Sequence, residues 1–239
     1  MYRVARSTIK GSCRLLSSRS PAVGLSTQCS LARTTTPRYF SAARLVEILG
    51  REYDEEIEAE SAILPDDLAS LKEQIEVDWQ VVEDGAMTRL VRTLDNGAKA
   101  QVTFHCQDTV EYGSEETEDI SIMRRDDEAA VPVRISVAIT KAGQTLALTC
   151  VTTDDLEARI ESLAVSPQPP GEDGAVTTGN YQGPEFDELA EDLLNAFNDF
   201  LLDDVCLNQD VVSFISMFCD YKEQYEYVKF LDDTKSLIS

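Results

Sequence analysis

The residues of this chain that could take part in catalysis are few, and they do not form a recognisable catalytic set. The single histidine, His105, lies among alternating apolar and polar residues, without a nucleophile or acid at a characteristic spacing. The chain also lacks a phosphate-binding glycine loop, a dinucleotide-binding motif, an HExxH zinc motif and an EF-hand loop. The sequence therefore predicts that His105 is an ordinary strand residue, that the protein is not an enzyme, and that it uses no cofactor.

Carboxylates are the abundant ionisable groups, with 44 Asp and Glu against 21 Lys and Arg. Neighbouring pairs such as Asp203 with Asp204, or Asp232 with Asp233, could hold divalent cations weakly, although a solvated charged face is the commoner role of such pairs. At this acid content pairs also arise by chance, so they do not indicate a hydrolase. The net charge of −23 repels nucleic acid and anionic lipid, and it attracts basic proteins or cations.

The cysteines show no metal-binding or redox spacing, because none of them forms a CxxC pair. We expect those of the main domain to be buried thiols that are not joined in disulfides. The six positions are Cys13, Cys29, Cys106, Cys150, Cys206 and Cys219.

The first 46 residues contain no Asp or Glu, and they are rich in Arg, Ser and Thr. This composition is typical of a mitochondrial transit peptide, and the run Arg38 to Ala42 resembles a matrix-peptidase site that cuts between Phe40 and Ser41. A basic tail that binds nucleic acid or membrane is the alternative. Cleavage there removes seven positive and no negative charges, which shifts the net charge from −23 to −30. No run of 18 apolar residues is present, so stable membrane insertion is not expected.

Residues 41–239 have the size of one domain, and the overall hydrophobic content of 43% is sufficient for a packed core. Apolar spacing predicts a helix over 42–60, which Pro65 and the following two aspartates interrupt. From about residue 73, alternation through Ile75, Val77, Trp79 and Val81 predicts a half-buried strand. The pair Asn96 and Gly97 predicts a hairpin that joins strands over 87–94 and 98–106.

The middle of the domain alternates acidic, apolar and flexible segments. Residues 107–130 read as an acidic loop, and further strands are predicted around 133–139, 146–150 and 156–165. Residues 166–180, which are rich in Pro and Gly, read as a mobile linker.

Two helices are predicted at the C-terminal end. One begins with Pro184 in its first turn and carries apolar residues at helical spacing from Phe186 to Leu201. The other begins near Asn208, with a possible break near Asp220. Its aromatic residues pack either within the subunit or between subunits, with core packing as the default. Segregation of strands from helices predicts an α+β fold with helices on one face of an antiparallel sheet.

The C-terminal third carries a family resemblance. Residues 181–189, Tyr-Gln-Gly-Pro-Glu-Phe-Asp-Glu-Leu, resemble the Tyr-x-Gly-Pro-x-Phe-x-x-Leu signature of the mitochondrial glycoprotein family. That family includes p32 (the complement C1q-binding protein) and the yeast mitochondrial acidic matrix protein. Residues 222–231 and the ending at 235–238 are similar to the last helix of its members. The 166–180 linker and the 202–206 segment depart from the family pattern, and the second leaves the turn between the helices unassigned.

The resemblance implies a seven-stranded twisted antiparallel sheet, one N-terminal and two C-terminal helices, and a doughnut-shaped homotrimer. It also implies a non-enzymatic adapter or chaperone of the mitochondrial matrix that binds basic proteins and supports mitochondrial translation, RNA processing and oxidative phosphorylation. Two alternatives remain at this point: a divalent-cation buffer, and an accessory factor of mitochondrial RNA editing that acts through RNA-binding partners.

The expected binding surface consists of acids of the loop and of exposed helix faces, which act through their collective field. Partners would be basic ribosomal or RNA-binding proteins, with RNA contacted indirectly. The candidate residues are Asp108, Glu111, Glu115, Glu116, Glu118, Asp119, Asp126, Asp127, Glu128, Glu188, Glu191, Asp192 and Asp199.

Overall fold

The computed structural model describes residues 39–110, 131–171, 176 and 181–239. Most of the predicted transit peptide, residues 111–130 of the acidic loop and most of residues 172–180 of the linker lie outside the described residues.

An antiparallel sheet forms the centre of the domain, and its six described strands follow chain order as a meander. Their bounds are β1 Gln80–Asp84, β2 Met87–Thr93, β3 Lys99–Thr109, β4 Val133–Lys141, β5 Gln144–Thr152 and β6 Ala158–Ser166. The hairpin at Asn96 and Gly97 is confirmed: Gly97 has φ +78°, and the Asn96 side-chain oxygen accepts a hydrogen bond from the Ala98 N–H at 2.8 Å. Strand register around this turn is therefore fixed by local chemistry.

The strand predicted from residue 73 is wrong in its first half, because this stretch ends a helix that the sequence did not reveal. Helix α1 spans Tyr39–Glu58, and helix α2 spans Asp66–Ile75 with Pro65 at its N-cap. Ile75 and Trp79 are both buried, but Val77 is 81% exposed. The Trp79 N–H donates to the Ile75 carbonyl oxygen at 2.9 Å, so the two buried residues are one helical turn apart.

The expected seventh strand is absent from the described residues, and residues 181–185 take its place against the outer edge of β6. They meet that strand at a single antiparallel bridge between Ser162 and Glu185. Gly183 has φ +92°, outside the β region, and a Cβ at this position would overlap the Leu163 carbonyl oxygen. Pro184 has no N–H to donate. The segment therefore follows the edge closely without forming a ladder.

The first C-terminal helix begins later than predicted. Phe186–Glu188 form one 3-10 turn, and helix α3 spans Glu191–Asp199 with Ala190 at its N-cap. Pro184 is therefore not a first-turn residue. The helical spacing that starts at Phe186 belongs to two short elements, in which Phe186 is buried and packs edge-on to Phe197 at 6.2 Å between ring centroids.

A π-helical turn over Phe200–Asp204 leads to the final helix, α4, which spans Gln209–Ile238. Cys206 has φ +60°, in the left-handed region that ends many helices. The prediction that the last helix starts near Asn208 is confirmed, since the Val211 N–H donates to the Asn208 side-chain oxygen at 3.1 Å. The possible break near Asp220 is wrong, because α4 continues unbroken through it.

The core lies between one face of the sheet and the helices, as the predicted α+β class requires. Val102 and Phe104 on β3 are buried, and α4 packs over β3 and β4. Phe214 and Phe218 of α4 are fully buried and stack with centroids 4.9 Å apart. This part of the aromatic row therefore packs within the chain, whereas Tyr225 farther along is 43% exposed.

An ionic cluster joins α2, β1 and α4 at the border of the core. Glu83 accepts hydrogen bonds from Lys72 and Lys222, each at 2.8 Å, and the Lys222 side chain is only 9% exposed. Burial raises the pKa of the Glu83 carboxyl, but the two lysine hydrogen bonds outweigh it and hold the pKa below the ordinary value of 4.5. Burial lowers the pKa of Lys222, and the Glu83 carboxylate outweighs it in turn, so that pKa is raised. We call Lys72, Glu83 and Lys222 the ionic cluster.

Candidate acidic binding surface

The charged residues of the C-terminal third are segregated by sign. Residues 160–221 contain no lysine, arginine or histidine, so every charged residue of this stretch is an acid. The structure places the following carboxylates in exposed positions just before and on the 3-10 turn, on α3 and on the π-helical turn, and we call them the acidic C-terminal surface: Glu185, Asp187, Glu188, Glu191, Asp192, Asp199, Asp203 and Asp204.

Local packing explains why these carboxylates face outward. Phe186, Leu194 and Phe197 turn toward the core, and Phe186 is only 6% exposed. Because a helix alternates its faces with a period of 3.6 residues, this leaves the intervening acids on the solvent side. Glu191 and Asp192 occupy the first turn of α3, where the positive end of the helix dipole favours negative charge.

The ion pairs of the described residues use other acids. Arg51 pairs with Glu52 and Glu55, the two lysines of the ionic cluster share Glu83, and Lys229 lies 3.8 Å from Glu226. The carboxylates of the acidic C-terminal surface are thus available to a partner, and no base lies among them in sequence. One base approaches in space, because the Arg92 guanidinium donates to the Val205 carbonyl oxygen at 3.3 Å, beside Asp204.

The structure separates the predicted site residues into three groups. Glu188, Glu191, Asp192 and Asp199 lie on the acidic C-terminal surface and are exposed. Asp108 lies elsewhere, at the end of β3, where it pairs with Arg134 at 3.3 Å. The remaining predicted acids lie outside the described residues: Glu111, Glu115, Glu116, Glu118, Asp119, Asp126, Asp127 and Glu128.

Arg134 also sets Asp108 apart electrostatically, because the same guanidinium lies 3.4 Å from Glu161 on β6. The two carboxylates share one cation, so their net charge toward a basic partner is reduced. We therefore expect Asp108 to contribute less to the binding of a basic partner than the acids of the acidic C-terminal surface.

Sequence reasoning did not include four members of the surface among the binding residues: Glu185, Asp187, Asp203 and Asp204. A usable signal was present, namely the absence of Lys and Arg over residues 160–221. Counting the sign of charge along the chain finds this segment without any structure.

The described residues show no metal-binding cluster, and the single histidine makes a local contact. No group of three or more His, Cys, Asp or Glu side chains converges to hold a metal ion in this part of the chain. The His105 ring nitrogen Nδ1 accepts the Gln107 N–H at 3.1 Å, a local contact within β3. The divalent-cation buffer thus gains no support from the described residues.

The described cysteines are free, and three of them are buried. Burial raises the pKa of the Cys150 thiol to about 12, and it also raises the pKa values of Cys106 and Cys219. These thiols stay protonated at neutral pH, and a thiol is a far weaker nucleophile than a thiolate.

None of the helices in the described part of the chain combines the length and the apolar character needed to cross a membrane.

Comparison with known proteins identifies the group to which this chain belongs. No curated protein sequence matches it. The crystal structure of the Trypanosoma brucei p22 protein has a similar fold, with a TM-score of 0.59, 18% sequence identity, and coverage of 84% of this chain and 100% of that chain. The family model described as Mitochondrial glycoprotein matches residues 49–238, most of the chain. With the signature residues at 181–189 and the shared fold, the chain belongs to the mitochondrial glycoprotein family.

Proposed function

We propose that this chain is an acidic, non-enzymatic adapter or chaperone of the mitochondrial matrix that binds basic proteins through the field of its carboxylates. The observation that carries the proposal is the acidic C-terminal surface, with exposed acids in a segment free of Lys and Arg. Membership of the mitochondrial glycoprotein family supports the mitochondrial location.

The binding mechanism is electrostatic. A surface of one sign attracts oppositely charged partners over several ångströms and speeds their encounter, and the attraction falls as salt screens it over a Debye length of about 8 Å at physiological ionic strength. The same field repels phosphate, so RNA is contacted through basic RNA-binding partners. Client proteins of this kind are abundant in ribosome assembly and RNA processing, which connects the adapter to mitochondrial translation and oxidative phosphorylation.

The proposal includes processing and assembly. Residues 1–40 act as the transit peptide, with the cut between Phe40 and Ser41, and residues 41–239 form one domain that works as a homotrimer. Removal of the basic leader shifts the net charge from −23 to −30, which strengthens the field of each subunit. The acid-free composition of residues 1–46 supports this division of the chain.

A titration with a fluorescent oligolysine peptide tests the proposal. We expect binding at about 50 mM salt to weaken by at least tenfold at about 500 mM, because the interaction is screened. Equal affinity at the two salt concentrations would contradict the mechanism. Affinity purification from mitochondria, washed at low and high salt with and without RNase, would then identify the physiological clients.

Two charge variants locate the binding surface. The surface variant carries Glu188→Gln, Glu191→Gln, Asp192→Asn and Asp199→Asn. The control variant changes the net charge equally at exposed acids of α1, α2 and the following turn: Glu58→Gln, Glu73→Gln, Glu76→Gln and Asp78→Asn. We expect the surface variant to lose on the order of tenfold more affinity than the control variant. Equal losses would mean that net charge, rather than this surface, determines binding.

A further inference from the structure

An apolar groove lies beside the acidic C-terminal surface, where β6 meets residues 181–184. Its walls are formed by Leu163, Val165 and Pro167 on one side and by Tyr181 and Pro184 on the other, and its volume is about 340 Å³. Nearly all the groups that line it are apolar, in a domain whose exposed surface is otherwise rich in carboxylates.

The groove exists because the sheet extends farther than the helices that cover it. Ile139, Leu146 and Val165 are direct cross-strand neighbours on β4, β5 and β6, so their side chains share the core face. Exposure rises along this row, from 8% at Ile139 to 60% at Val165. Val165, the last residue of this row of core-facing side chains, is thus exposed at the edge of the sheet.

The opposite wall begins with an exposed aromatic residue. Tyr181, the first residue of the family signature, is 71% exposed. Gly183 holds the segment against the Leu163 carbonyl, which fixes Pro184 and the neighbouring backbone beside the groove. An apolar site with an aromatic rim suits one inserted side chain of a partner.

The carboxylates that follow the groove wall favour a basic partner. Glu185, Asp187 and Glu188 follow directly after its wall and are exposed, and no Lys or Arg occurs over residues 160–221. A second copy of this chain docked through this groove would bring the neighbouring acids against an equally acidic chain, so we expect the proposed homotrimer to assemble through another face. A segment that carries an apolar residue between lysines or arginines would satisfy both the groove and the surrounding carboxylates.

We propose that this groove binds a single aliphatic or aromatic side chain of a basic partner, with flanking Lys or Arg residues on the acidic C-terminal surface. The inference rests on the proposed function, because the partner is the same class of protein. It adds a site of short-range specificity. The electrostatic field of the carboxylates attracts basic chains, and the groove binds more tightly those that carry an apolar residue in the right position.

Two peptides of equal charge test the site, acetyl-Lys-Lys-Phe-Lys-Lys-amide and the same peptide with Ser in place of Phe, each labelled with fluorescein. At about 150 mM salt we expect the Phe peptide to bind about tenfold more tightly, because it buries its ring. The advantage should persist at higher salt, since apolar burial is not screened.

Neutral substitutions assign this advantage to the groove. The groove variant carries Val165→Ser and Tyr181→Ser. Its matched control carries Val77→Ser and Phe230→Ser, at positions 81% and 58% exposed and away from the groove lining. We expect the preference for Phe to vanish in the groove variant and to remain in the control, with circular dichroism unchanged in both.

The outcomes separate the two proposals. If neither peptide binds even at low salt, the electrostatic function fails, and the groove proposal fails with it. If both bind with equal affinity in a salt-dependent manner, or if the preference for Phe survives in the groove variant, the groove proposal alone is overturned. A smaller particle by sedimentation velocity for the groove variant alone would show that a second copy occupies the groove, which also overturns it.

Discussion

Glu83 and Glu188 are both glutamates at the surface of the domain, yet their surroundings differ completely. Glu83 lies between Lys72 and Lys222, each 2.8 Å away, and joins three elements across the border of the core. Glu188 lies on the 3-10 turn within a segment that contains no base. The comparison teaches that a carboxylate stabilises this fold where it neutralises a buried lysine, and is available for the proposed binding where its charge is exposed to solvent.

The largest effect on stability is expected from Glu83→Gln. This change leaves the buried Lys222 ammonium without its anionic partner, and we expect the free energy of unfolding to fall by about 2 kcal/mol. Urea denaturation measures the loss, and Glu188→Gln, the same change on the acidic C-terminal surface, is the control. A loss no larger than that of the control would remove the distinction between the two regions.

A smaller loss is expected from Lys222→Met. The Met side chain retains much of the buried aliphatic contact, and Glu83 keeps its hydrogen bond to Lys72, so we expect a loss of about 1 kcal/mol. The double variant with Glu83→Gln should cost less than the sum of the single changes, because the two residues interact directly. Strict additivity in urea denaturation would show that the pair is not coupled.

The stability difference between wild type and Glu83→Gln should depend on pH. The pKa of Glu83 in the folded state lies below its ordinary value of 4.5, so the carboxylate contributes stability that is complete above that value. This contribution is lost as the pH falls through the folded-state pKa. Unfolding curves of both proteins at about pH 7, 5, 4 and 3 should show a constant difference down to about pH 5 that shrinks below it. A difference that grows on acidification would reverse the assignment.

The smallest effect on stability is expected from the surface variant defined above. Its four neutralised carboxylates lie on the exposed side of the 3-10 turn and α3, so the free energy of unfolding should stay within about 0.5 kcal/mol of wild type. Relief of repulsion between like charges and loss of the favourable helix-dipole interaction at Glu191 and Asp192 act in opposite directions, so the net change should be small. Destabilisation by more than 1 kcal/mol in urea denaturation would show that these acids also have a structural role.

Several features followed from the sequence because they depend on adjacent residues. Gly97 was expected in a tight turn, since few other residues adopt positive φ easily, and Asn208 was expected to begin a helix, since its side chain reaches the free N–H groups of the first turn. The charge of the C-terminal third and the signature at 181–189 are likewise properties of consecutive residues.

Features that depend on competition between secondary-structure elements could not be predicted from the sequence. Ile75 and Trp79 fit both a strand period and one helical turn, and the choice depends on the burial of Leu68 and Ile75 in the core. The number of strands depended on how closely residues 181–185 approach β6, where Gly183 and Pro184 allow contact but prevent a ladder.

The sequence by itself determined the sign and the amount of charge, the hairpin turn at Asn96 and Gly97, and the family, because each of these is a property of residues close together in the chain. Only the tertiary structure decided which acids are neutralised and which remain free. Glu83 and Lys222 are 139 positions apart, and their pairing exists only because α4 packs across the sheet. The open end of the core row at Val165 has the same origin, since it depends on how far the helices reach over the sheet.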